Sequence, residues 1–253
     1  SLGKAFVCID DKNISKVLKK IKNKNFYTYG INKIANFQIL NIFQNINFSK
    51  FDLKINTPAK KKIIKNIKIP LIGLHNIRNA ASAVAVSFSI GISDKIIKEG
   101  LLKYKGVERR FNYLFKHNDA IFFDDYAHHP TEISSVLDGV RQAYNKKEII
   151  CIFQPHRISR VKNLKSEFSK SFKKADTVIL CPIFKANEKL KLGFTYNSFA
   201  KLIIKNSRVK LINIENEISL KNLIKQTAYG EKIYIGMGAG SISGWLKNLK
   251  YNI

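Results

Sequence analysis

The sequence predicts an α/β protein in two parts: a mixed first segment with antiparallel strands, and a second segment built on a doubly wound, mostly parallel sheet. Three observations support this fold class. Hydrophobic residues make up 45% of the 253 positions, enough to bury a substantial core. Alternation of apolar and polar residues is frequent before position 70. After Phe111, apolar strands alternate with helical stretches, which is typical of parallel sheets.

The first segment opens on a strand-like apolar run and closes on two helices. One helix is rich in alanine and follows the stretch 73–79, and the next is capped by Ser93. The predicted elements are a strand at 4–10, a helix at 12–21, strands at 26–29, 37–43 and 48–55, a helix at 80–90 and a helix ending at 103. We place a boundary within 104–107, which divides the chain into domains at 1–105 and 106–253.

The second segment contains recurring apolar strands separated by helices. The predicted strands are 120–124, 148–153, 177–181 and 232–235, with helices beginning near Pro130, Val161, Asn197 and Ser219. In a doubly wound sheet, ligands bind in a crevice at the carboxyl ends of the strands. We therefore expect the functional residues of this segment to follow its strands.

The chain is strongly basic, with 45 cationic and 18 acidic residues and a net charge of +27. Only seven of the cations are arginine, and the lysines are dispersed without an aromatic-interleaved arginine stripe. Dispersed charge of this kind usually forms a solvated surface, so we expect no specific nucleic-acid partner. A basic module that binds RNA or another polyanion stays open as an alternative, and salt-resistant binding would distinguish it.

Three cysteines, Cys8, Cys151 and Cys181, lie in apolar runs without C-x-x-C spacing. This pattern predicts reduced core thiols and a cytoplasmic protein. No apolar run approaches the roughly 20 residues that span a bilayer, and the first residues lack the hydrophobic region of a signal peptide. We therefore expect no membrane partner.

Two polar clusters follow predicted strands of the second segment. They are the runs Asp124-Asp125-Tyr126-Ala127-His128-His129-Pro130-Thr131-Glu132 and Phe153-Gln154-Pro155-His156-Arg157-Ile158-Ser159-Arg160. If the two strands are neighbours and parallel, both clusters face one crevice, where arginine suits a carboxylate or a phosphate. Helix capping and surface positions are the alternative explanations for these side chains.

A metal site is a weaker interpretation of the same clusters. Asp125, His128, His129 and Cys151 are possible zinc ligands by residue type. Cys151 lies inside its strand, however, and the spacing matches no usual ligand set. We therefore predict no metal ligation by these residues.

These two clusters, with three further motifs in the same order, resemble the ATP-dependent Mur ligase family. The other motifs are GLHNIRNAA at 73–81, GVERRF at 106–111 and MGAGS at 237–241. The resemblance covers essentially the whole chain. It implies the carboxyl-terminal portion of the family's central ATPase domain over 1–105, followed by the family's Rossmann-like carboxyl-terminal domain over 106–253.

The resemblance implies an amide-forming reaction of peptidoglycan precursor synthesis. The run 154–157 favours the family member that adds L-alanine to UDP-N-acetylmuramate through an acyl phosphate. The murein-peptide ligase that recycles tripeptide, whose Asp-Asp and His-His motif is similar, is the alternative. The implied cofactors are ATP and Mg²⁺.

By the same resemblance, two sets of residues acquire roles. Those expected to contact the nucleotide are His75, Asn76, Asn79, Arg110 and Asp125. Those expected to form the acceptor pocket are Tyr126, His128, His156, Arg157 and Arg160, with His128, His156 and Arg157 as the catalytic residues. Helix capping is an equally good explanation for either asparagine. For Arg109 and His129 we expect structural roles.

The chain lacks the G-x-x-x-x-G-K-[ST] loop whose backbone amides hold phosphates. In the family this loop, the magnesium ligands and a UDP-binding domain lie upstream of the part that resembles this chain. We therefore expect the chain to lack turnover alone, and a complementing amino-terminal fragment is one candidate partner. The glycine-rich turn at 236–241 either meets an anion or allows tight packing, and the sequence leaves both open.

Three positions depart from the family pattern. Ala127 stands where glycine is commoner, Ile158 where an aromatic residue is usual, and Asn187 where glycine is usual.

Overall fold

The computed structural model describes residues 3–22, 25–45, 47–104, 106, 108–189, 191 and 193–251. The chain divides into two compact units, which we call unit 1 (Ser1–Gly106) and unit 2 (Val107–Ile253). Each unit contains one sheet. Lys105 and Val107, which belong to the predicted boundary, lie outside the described residues.

Unit 1 is a five-stranded sheet with helices packed against it. Its elements are β1 (Ala5–Cys8), α1 (Lys12–Leu18), β2 (Phe26–Gly30), β3 (Phe37–Gln44), β4 (Ser49–Asn56), β5 (Lys61–Ile69), α2 (Leu74–Ser89) and α3 (Asp94–Lys103). The strands lie in the order of the sequence. Strands β1, β2 and β3 are parallel, and β4 is antiparallel to both of its neighbours, β3 and β5. The predicted mixed architecture is therefore confirmed.

Strand β5 was not predicted from the sequence, and its burial pattern gives the physical reason. Its buried residues are Ile64, Ile67 and Ile69, which do not follow a strict period of two. The pairing with β4 shifts register between Phe51 and Leu53, and Asn66 adopts a φ of 56°. A bulge of this kind interrupts the alternation by which strands are recognised.

Two helices of unit 1 differ in length from the prediction. Helix α1 ends at Leu18, three residues before the predicted end. Helix α2 begins at Leu74 rather than at Ala80, so the predicted nucleotide motif lies inside the helix. The buried face of α2 packs on one face of the sheet, and the shared core also includes Ile97 of α3.

Unit 2 is a six-stranded sheet in the order β10-β9-β8-β11-β7-β6. Its strands are β6 (Asn112–His117), β7 (Ala120–Asp125), β8 (Glu148–Phe153), β9 (Thr177–Leu180), β10 (Lys210–Asn213) and β11 (Lys232–Met237). Its helices are α4 (Pro130–Ala143), α5 (Ile158–Asn163), α6 (Lys165–Lys170), α7 (Tyr196–Ser207), α8 (Glu217–Thr227) and α9 (Ile242–Leu249). All pairs are parallel except β6 with β7, so the doubly wound, mostly parallel sheet is confirmed.

Two strands of unit 2, β6 and β10, were not predicted from the sequence, and they form the edges of this sheet. Edge strands are often short or polar because only one side must pair. Strand β10 has four residues and no buried side chain, and β6 buries only Phe115. Neither strand therefore carries the continuous apolar run that marks the interior strands.

One expectation about the sheet is wrong. Strands β7 and β8, which carry the two polar clusters, are not neighbours, because β11 lies between them and pairs with both. The strand ends are therefore separated by two strand spacings, about 10 Å. Long side chains and the loops after the strands have to cover this distance.

Helices cover both faces of the unit 2 sheet. One core cluster joins it to α4, α5, α6 and α7, and the other joins it to α8 and α9. Cys151 and Cys181 lie in these cores, whereas Cys8 of unit 1 is half-buried, and all three are free thiols. Within the described part of the chain, no helix combines the length and apolar character that a membrane span requires.

Candidate functional site

The site lies at the carboxyl ends of β7, β11 and β8, and it includes the buried carboxylate of Asp125. Asp125 ends β7 and is 1% exposed. Its Oδ2 accepts a hydrogen bond from the backbone N–H of Phe111 at 2.8 Å, and its Oδ1 accepts one from Ala127 at 2.7 Å. Burial raises the pKa of Asp125 to about 6. The carboxylate thus fixes the two chain segments on either side of the strand end.

Arg109 contacts both Tyr126 and the turn after β11. Its guanidinium lies 4.8 Å from the centre of the Tyr126 ring, and its backbone carbonyl accepts from the Tyr126 N–H at 2.7 Å. Its Nη2 donates to the carbonyl of Gly238 at 2.5 Å, and its Nε is 3.4 Å from Oδ2 of the buried Asp124. The Ser243 hydroxyl donates to the same carboxylate at 2.6 Å. These contacts support the structural role expected for Arg109.

His128 is oriented by two acceptors. Its Nδ1 lies 2.8 Å from the carbonyl oxygen of Tyr126 and 3.5 Å from Oε2 of Glu132. Because a carbonyl only accepts, Nδ1 carries the ring proton in this hydrogen bond. Nε2 is then the nitrogen that can exchange a proton with a ligand.

His129 begins helix α4 and has a different task. Its ring accepts the backbone N–H of Thr131 at 3.4 Å, while Oε2 of Glu132 accepts the N–H of His129 at 3.2 Å. This reciprocal arrangement is a capping box, with Pro130 at the first helical position. The structural role expected for His129 is supported.

His156 lies in the loop after β8 and faces the His128 ring. The two ring centres are 5.6 Å apart at an angle of 75°. His156 Nδ1 is 3.2 Å from Nη1 of Arg160, and a guanidinium only donates, so Nδ1 accepts and Nε2 carries the proton. Burial, followed by the charge of the nearby Arg160, lowers the pKa of His156, which favours the neutral ring.

Phe184 supports the His156 ring from the loop after β9. The two rings stack with centres 5.6 Å apart and an angle of 9°. The Phe184 carbonyl also accepts the backbone N–H of Arg157 at 2.9 Å. No motif of the sequence analysis included Phe184, since a single loop aromatic carries no recognisable pattern.

Arg157 precedes helix α5 in an unusual backbone conformation. Its φ is 67°, a region that costs a residue other than glycine, and such strain is concentrated at functional sites. The residue is exposed, and its guanidinium makes no hydrogen bond or ion pair with the described residues. Its charge is therefore available to a ligand beside His156.

The glycine-rich turn after β11 is a packing element. A Cβ on Gly238 would lie 2.7 Å from the Gln154 carbonyl oxygen, and one on Gly240 would lie 2.5 Å from Gln154 Oε1. Gln154 Oε1 already accepts the N–H of Ile242 at 3.0 Å, and its Nε2 donates to Ser241 Oγ at 2.9 Å. Of the two explanations left open by the sequence, the structure supports tight packing.

The predicted nucleotide residues of unit 1 lie in the first turns of α2. The residue at the N-cap is Gly73, and no side chain caps this helix, so neither asparagine is its N-cap. Asn76 Nδ2 donates to the Ile72 carbonyl at 2.8 Å, and Asn79 is exposed. The His75 ring packs so closely on Gly73 that a Cβ there would lie 2.7 Å from it.

The remaining predicted nucleotide residue, Arg110, lies in unit 2. Its Nη1 is 3.9 Å from Oε1 of Glu132, and its charge acts on the Asp125 carboxylate. Arg110 and Asp125 therefore share one side of the strand end. Glu132, which contacts His128 and Arg110, lies at the end of the first predicted cluster, where the sequence analysis gave it no role.

Unit 2 thus brings together most of its predicted residues. Tyr126, His128, His156 and Arg160 form a continuous series of contacts, with Tyr126 and His128 ring centres 5.1 Å apart. Within the described residues, no group of three or more histidine, cysteine, aspartate or glutamate side chains is arranged to hold a metal ion.

The three departures from the family pattern have simple structural explanations. Ala127 is fully buried without the positive φ that would require glycine. Asn187 has a φ of 65°, a left-handed conformation that asparagine tolerates better than most residues. Ile158 is buried at the start of α5.

Comparisons with known proteins agree with this architecture. The family description "Mur ligase middle domain" matches residues 1–87, and "Mur ligase, glutamate ligase domain" matches residues 109–239. The UDP-N-acetylmuramate--L-alanine ligase of Pelagibacter ubique is 59% identical over 250 residues, covering 98% of this chain and 54% of that protein. The ligase of the same name from Rickettsia felis is 37% identical over 254 residues, covering 98% and 53%. The chain therefore spans about half the length of these relatives.

Solved structures show the same fold. A UDP-N-acetylmuramate-alanine ligase from Thermotoga maritima has a TM-score of 0.71 at 24% identity, covering 89% of this chain and 47% of that one. A murein peptide ligase from Psychrobacter arcticus has a TM-score of 0.70 at 21% identity, covering 99% and 51%. From the family descriptions, which between them match most of the chain, and from the ordered motifs on its strand ends, we conclude that this chain belongs to the Mur ligase family.

Proposed function

We propose that this chain is the carboxyl-terminal half or so of an ATP-dependent UDP-N-acetylmuramate:L-alanine ligase. Its family membership and its similarity to ligases of that name support the proposal. In this proposal residues 1–105 form the carboxyl-terminal portion of the central ATP-binding domain, and residues 106–253 form the carboxyl-terminal domain. Turnover then requires a complementing amino-terminal segment.

The proposed reaction joins a carboxylate to an amine in two steps. A carboxylate oxygen of UDP-N-acetylmuramate attacks the γ-phosphorus of ATP, the bond to ADP breaks, and an acyl phosphate forms. The amine nitrogen of L-alanine then attacks the acyl carbon, and the tetrahedral intermediate expels inorganic phosphate while the nitrogen loses a proton. Both steps concentrate negative charge, which fixed cations stabilise.

The observation that carries the proposal is the pairing of His128 with His156 beside two arginines. Arg160 occupies Nδ1 of His156, so the Nε2–H of His156 can donate to a developing negative charge. His128 presents Nε2 as a proton acceptor for the attacking amine. Arg157 and Arg160 are cations suited to the carboxylate of the incoming amino acid, and Tyr126 lines the same pocket.

We assign nucleotide contacts to residues of both units. In unit 1, Asn76 keeps its carbonyl oxygen as an acceptor and Asn79 is exposed, with His75 beside them. In unit 2, Arg110 offers a guanidinium near Asp125, whose oxygens each accept a single backbone hydrogen bond and have a second lone pair for a ribose hydroxyl.

Mg²⁺ and the ATP phosphates are assigned to the upstream segment of the complete ligase. The described residues offer no group of three or more suitable metal ligands, and the sequence has no phosphate-binding loop of the G-x-x-x-x-G-K-[ST] type. Mg²⁺ bound there would supply charge neutralisation at the transferred phosphoryl group. We place the protein in the cytoplasm, where its three free thiols would remain reduced.

A chimera tests the proposal. The amino-terminal part of the Pelagibacter ubique relative, joined to this chain, should release phosphate from ATP when UDP-N-acetylmuramate and L-alanine are present. The isolated chain should release none. In the chimera, H128Q and H156Q should each lower kcat about 100-fold or more, because a positioned acid or base contributes at least that much.

The matched control is H117Q, which removes a half-buried histidine of β6 that contacts Asn118. Turnover by the isolated chain would refute the need for an upstream segment. Unchanged rates in H128Q and H156Q would refute the assignment of the site. A second assay supplies the murein tripeptide instead of L-alanine as the amine substrate, with UDP-N-acetylmuramate absent or present. Phosphate release that depends on the tripeptide rather than on L-alanine would identify the murein-peptide ligase instead of the proposed one.

A further inference from the structure

Unit 1 contains an open cleft at the carboxyl ends of β1 and β2, with a volume of about 680 Å³. It is lined by residues that follow the two strands, by α1 and by one side chain of α2. Its charged lining comprises five cations and one carboxylate, namely Lys12, Lys16, Lys19, Lys33, Arg78 and Asp10. Half of the ten lining residues are cationic, against 45 of 253 in the whole chain, so the cleft is more basic than the dispersed surface.

The carboxylate of Asp10 does not neutralise these lysines. Its Oδ2 receives Arg78 Nε at 2.8 Å, and its oxygens accept the backbone N–H groups of Ile31 at 3.0 Å and Asn32 at 3.2 Å. The Asp10 side chain is only 11% exposed. Arg78 and these backbone N–H groups thus occupy the Asp10 carboxylate, and the carboxylate forms no ion pair with the cleft lysines.

The lysines are also arranged unfavourably for the protein itself. Lys12, Lys16 and Lys19 recur at i, i+4 and i+7, which places them on one face of α1, where like charges four apart destabilise a helix. All three are exposed, as is Lys33 across the cleft. None of the four ammonium groups forms an ion pair or hydrogen bond within the described part of the chain. A bound anion would relieve this repulsion, and a cleft concentrates the field.

The cleft is distinct from the residues assigned to the nucleotide. Arg78 is the only α2 residue that lines it, and His75, Asn76 and Asn79 do not. Arg78 lies two positions after Asn76, about 200° around the helix axis. The proposal therefore rests on the cleft's own lining residues and does not depend on the proposed function.

We propose that this cleft binds a small oligophosphate anion. Lysine ammonium groups are point charges that suit compact, multiply charged phosphate chains, and the fixed Arg78 guanidinium adds donors at the floor. The small set of ten lining residues favours a small anion over a nucleic acid, which would need a longer basic surface. A free oligophosphate and the phosphate chain of a nucleotide share this chemistry.

The test is a titration of the full ¹⁵N-labelled chain with inorganic tripolyphosphate at about 0.15 M salt. Amide shifts should concentrate at the ends of β1 and β2 and along α1. K12Q/K16Q should weaken binding about tenfold. The matched control, K95Q/K103Q, removes two exposed lysines of α3 in the same unit and should change binding less than about twofold.

Equal losses in the two variants, or shifts scattered over lysines of both units, would show diffuse attraction and overturn the proposal. Displacement of tripolyphosphate by single-stranded RNA with the same dependence on Lys12 and Lys16 would assign the surface to a nucleic acid and also overturn it. Equal affinity for ATP and tripolyphosphate would identify a free phosphate chain as sufficient, and tighter ATP binding would identify a nucleotide. Thermal unfolding confirms that K12Q/K16Q folds, which the relief of like-charge repulsion favours.

Discussion

The two sheets of this chain differ in how their strands are buried. The interior strands of unit 2 are almost continuously buried: β8 and β11 each bury five of six residues. In unit 1, β4 alternates buried and mostly exposed positions along its whole length, and β5 exposes six of nine. Parallel strands covered by helices on both faces produce the first pattern, and a sheet with one open face produces the second.

This difference determines what kind of site each unit can hold. At the carboxyl ends of the unit 2 strands, the Asp124 and Asp125 side chains are removed from water, and each has a carboxylate oxygen that accepts a hydrogen bond from the protein. These hydrogen bonds fix the surrounding residues in one arrangement. In unit 1 the cleft lysines are exposed, so their contribution is electrostatic. Unit 2 is suited to holding side chains in fixed positions around a ligand, and the cleft of unit 1 is suited to attracting anions.

The largest effect should come from a cavity in the sheet of unit 2. Phe153 is fully buried against Phe168 and Phe172, so F153A should lower the free energy of unfolding by about 3–5 kcal/mol. I63A removes a half-exposed side chain of β5 and should stay within about 0.5 kcal/mol. Urea unfolding followed by the fluorescence of Trp245, the only tryptophan and a residue of unit 2, measures the first effect.

Circular dichroism in the same titrations follows both units and provides the reading for I63A. A cost of several kcal/mol in I63A, or a small cost in F153A, would remove the distinction between the two sheets. A shift of the Trp245 transition in I63A would show that the units unfold as one.

The second effect is a pH dependence of opposite sign in the two units. The pKa of Asp125 is raised to about 6 by burial, so between about pH 4 and pH 6 the folded state binds more protons than the unfolded state. The stability of unit 2 should therefore fall by about 3 kcal/mol as the pH rises through this window. Asn41 and the Asn66 N–H lower the pKa of Asp52 in unit 1, so its contribution is lost as the pH falls below about 4.

Unfolding of unit 2, monitored by Trp245 at a series of pH values, checks this prediction. D125N should flatten the profile between about pH 4 and pH 6, because the amide does not titrate. D119N is the control: it removes an exposed carboxylate whose pKa Lys116 lowers, so it should leave that window unchanged. A slope that persists in D125N would contradict the assignment to Asp125.

Sequence patterns predicted the interior of the fold better than its edges. The apolar strands β7, β8, β9 and β11 and the helices between them follow directly from hydrophobic periodicity. Edge strands β6 and β10 and the bulged β5 lack this signal because few of their residues are buried. The insertion of β11 between β7 and β8 depends on long-range pairing, which local patterns do not encode.

The candidate site was predictable to the extent that its residues fall in motifs. His128, His156 and Arg160 are brought together even though their strands are not neighbours, because the loops after β7 and β8 cross the end of β11. Phe184 was missed, since its stacking on His156 follows from the path of a loop. Different roles for His128 and His129 were already expected from the sequence, and the hydrogen bonds of the two rings give a geometric basis for that expectation.

The last and smallest effect compares the arginine–aspartate pair of each unit. R109M should cost about 2 kcal/mol, because Asp124 is 1% exposed and would keep only the Ser243 hydroxyl as a partner for its charge. R78M should cost about 1 kcal/mol or less, since Asp10 retains backbone N–H partners and borders an open cleft where water can replace the guanidinium. Urea unfolding of the two variants, by Trp245 fluorescence and circular dichroism respectively, gives both values. Equal costs would mean that burial does not separate the two pairs, and the contrast between a fixed site in unit 2 and a hydrated one in unit 1 would then lose its energetic basis.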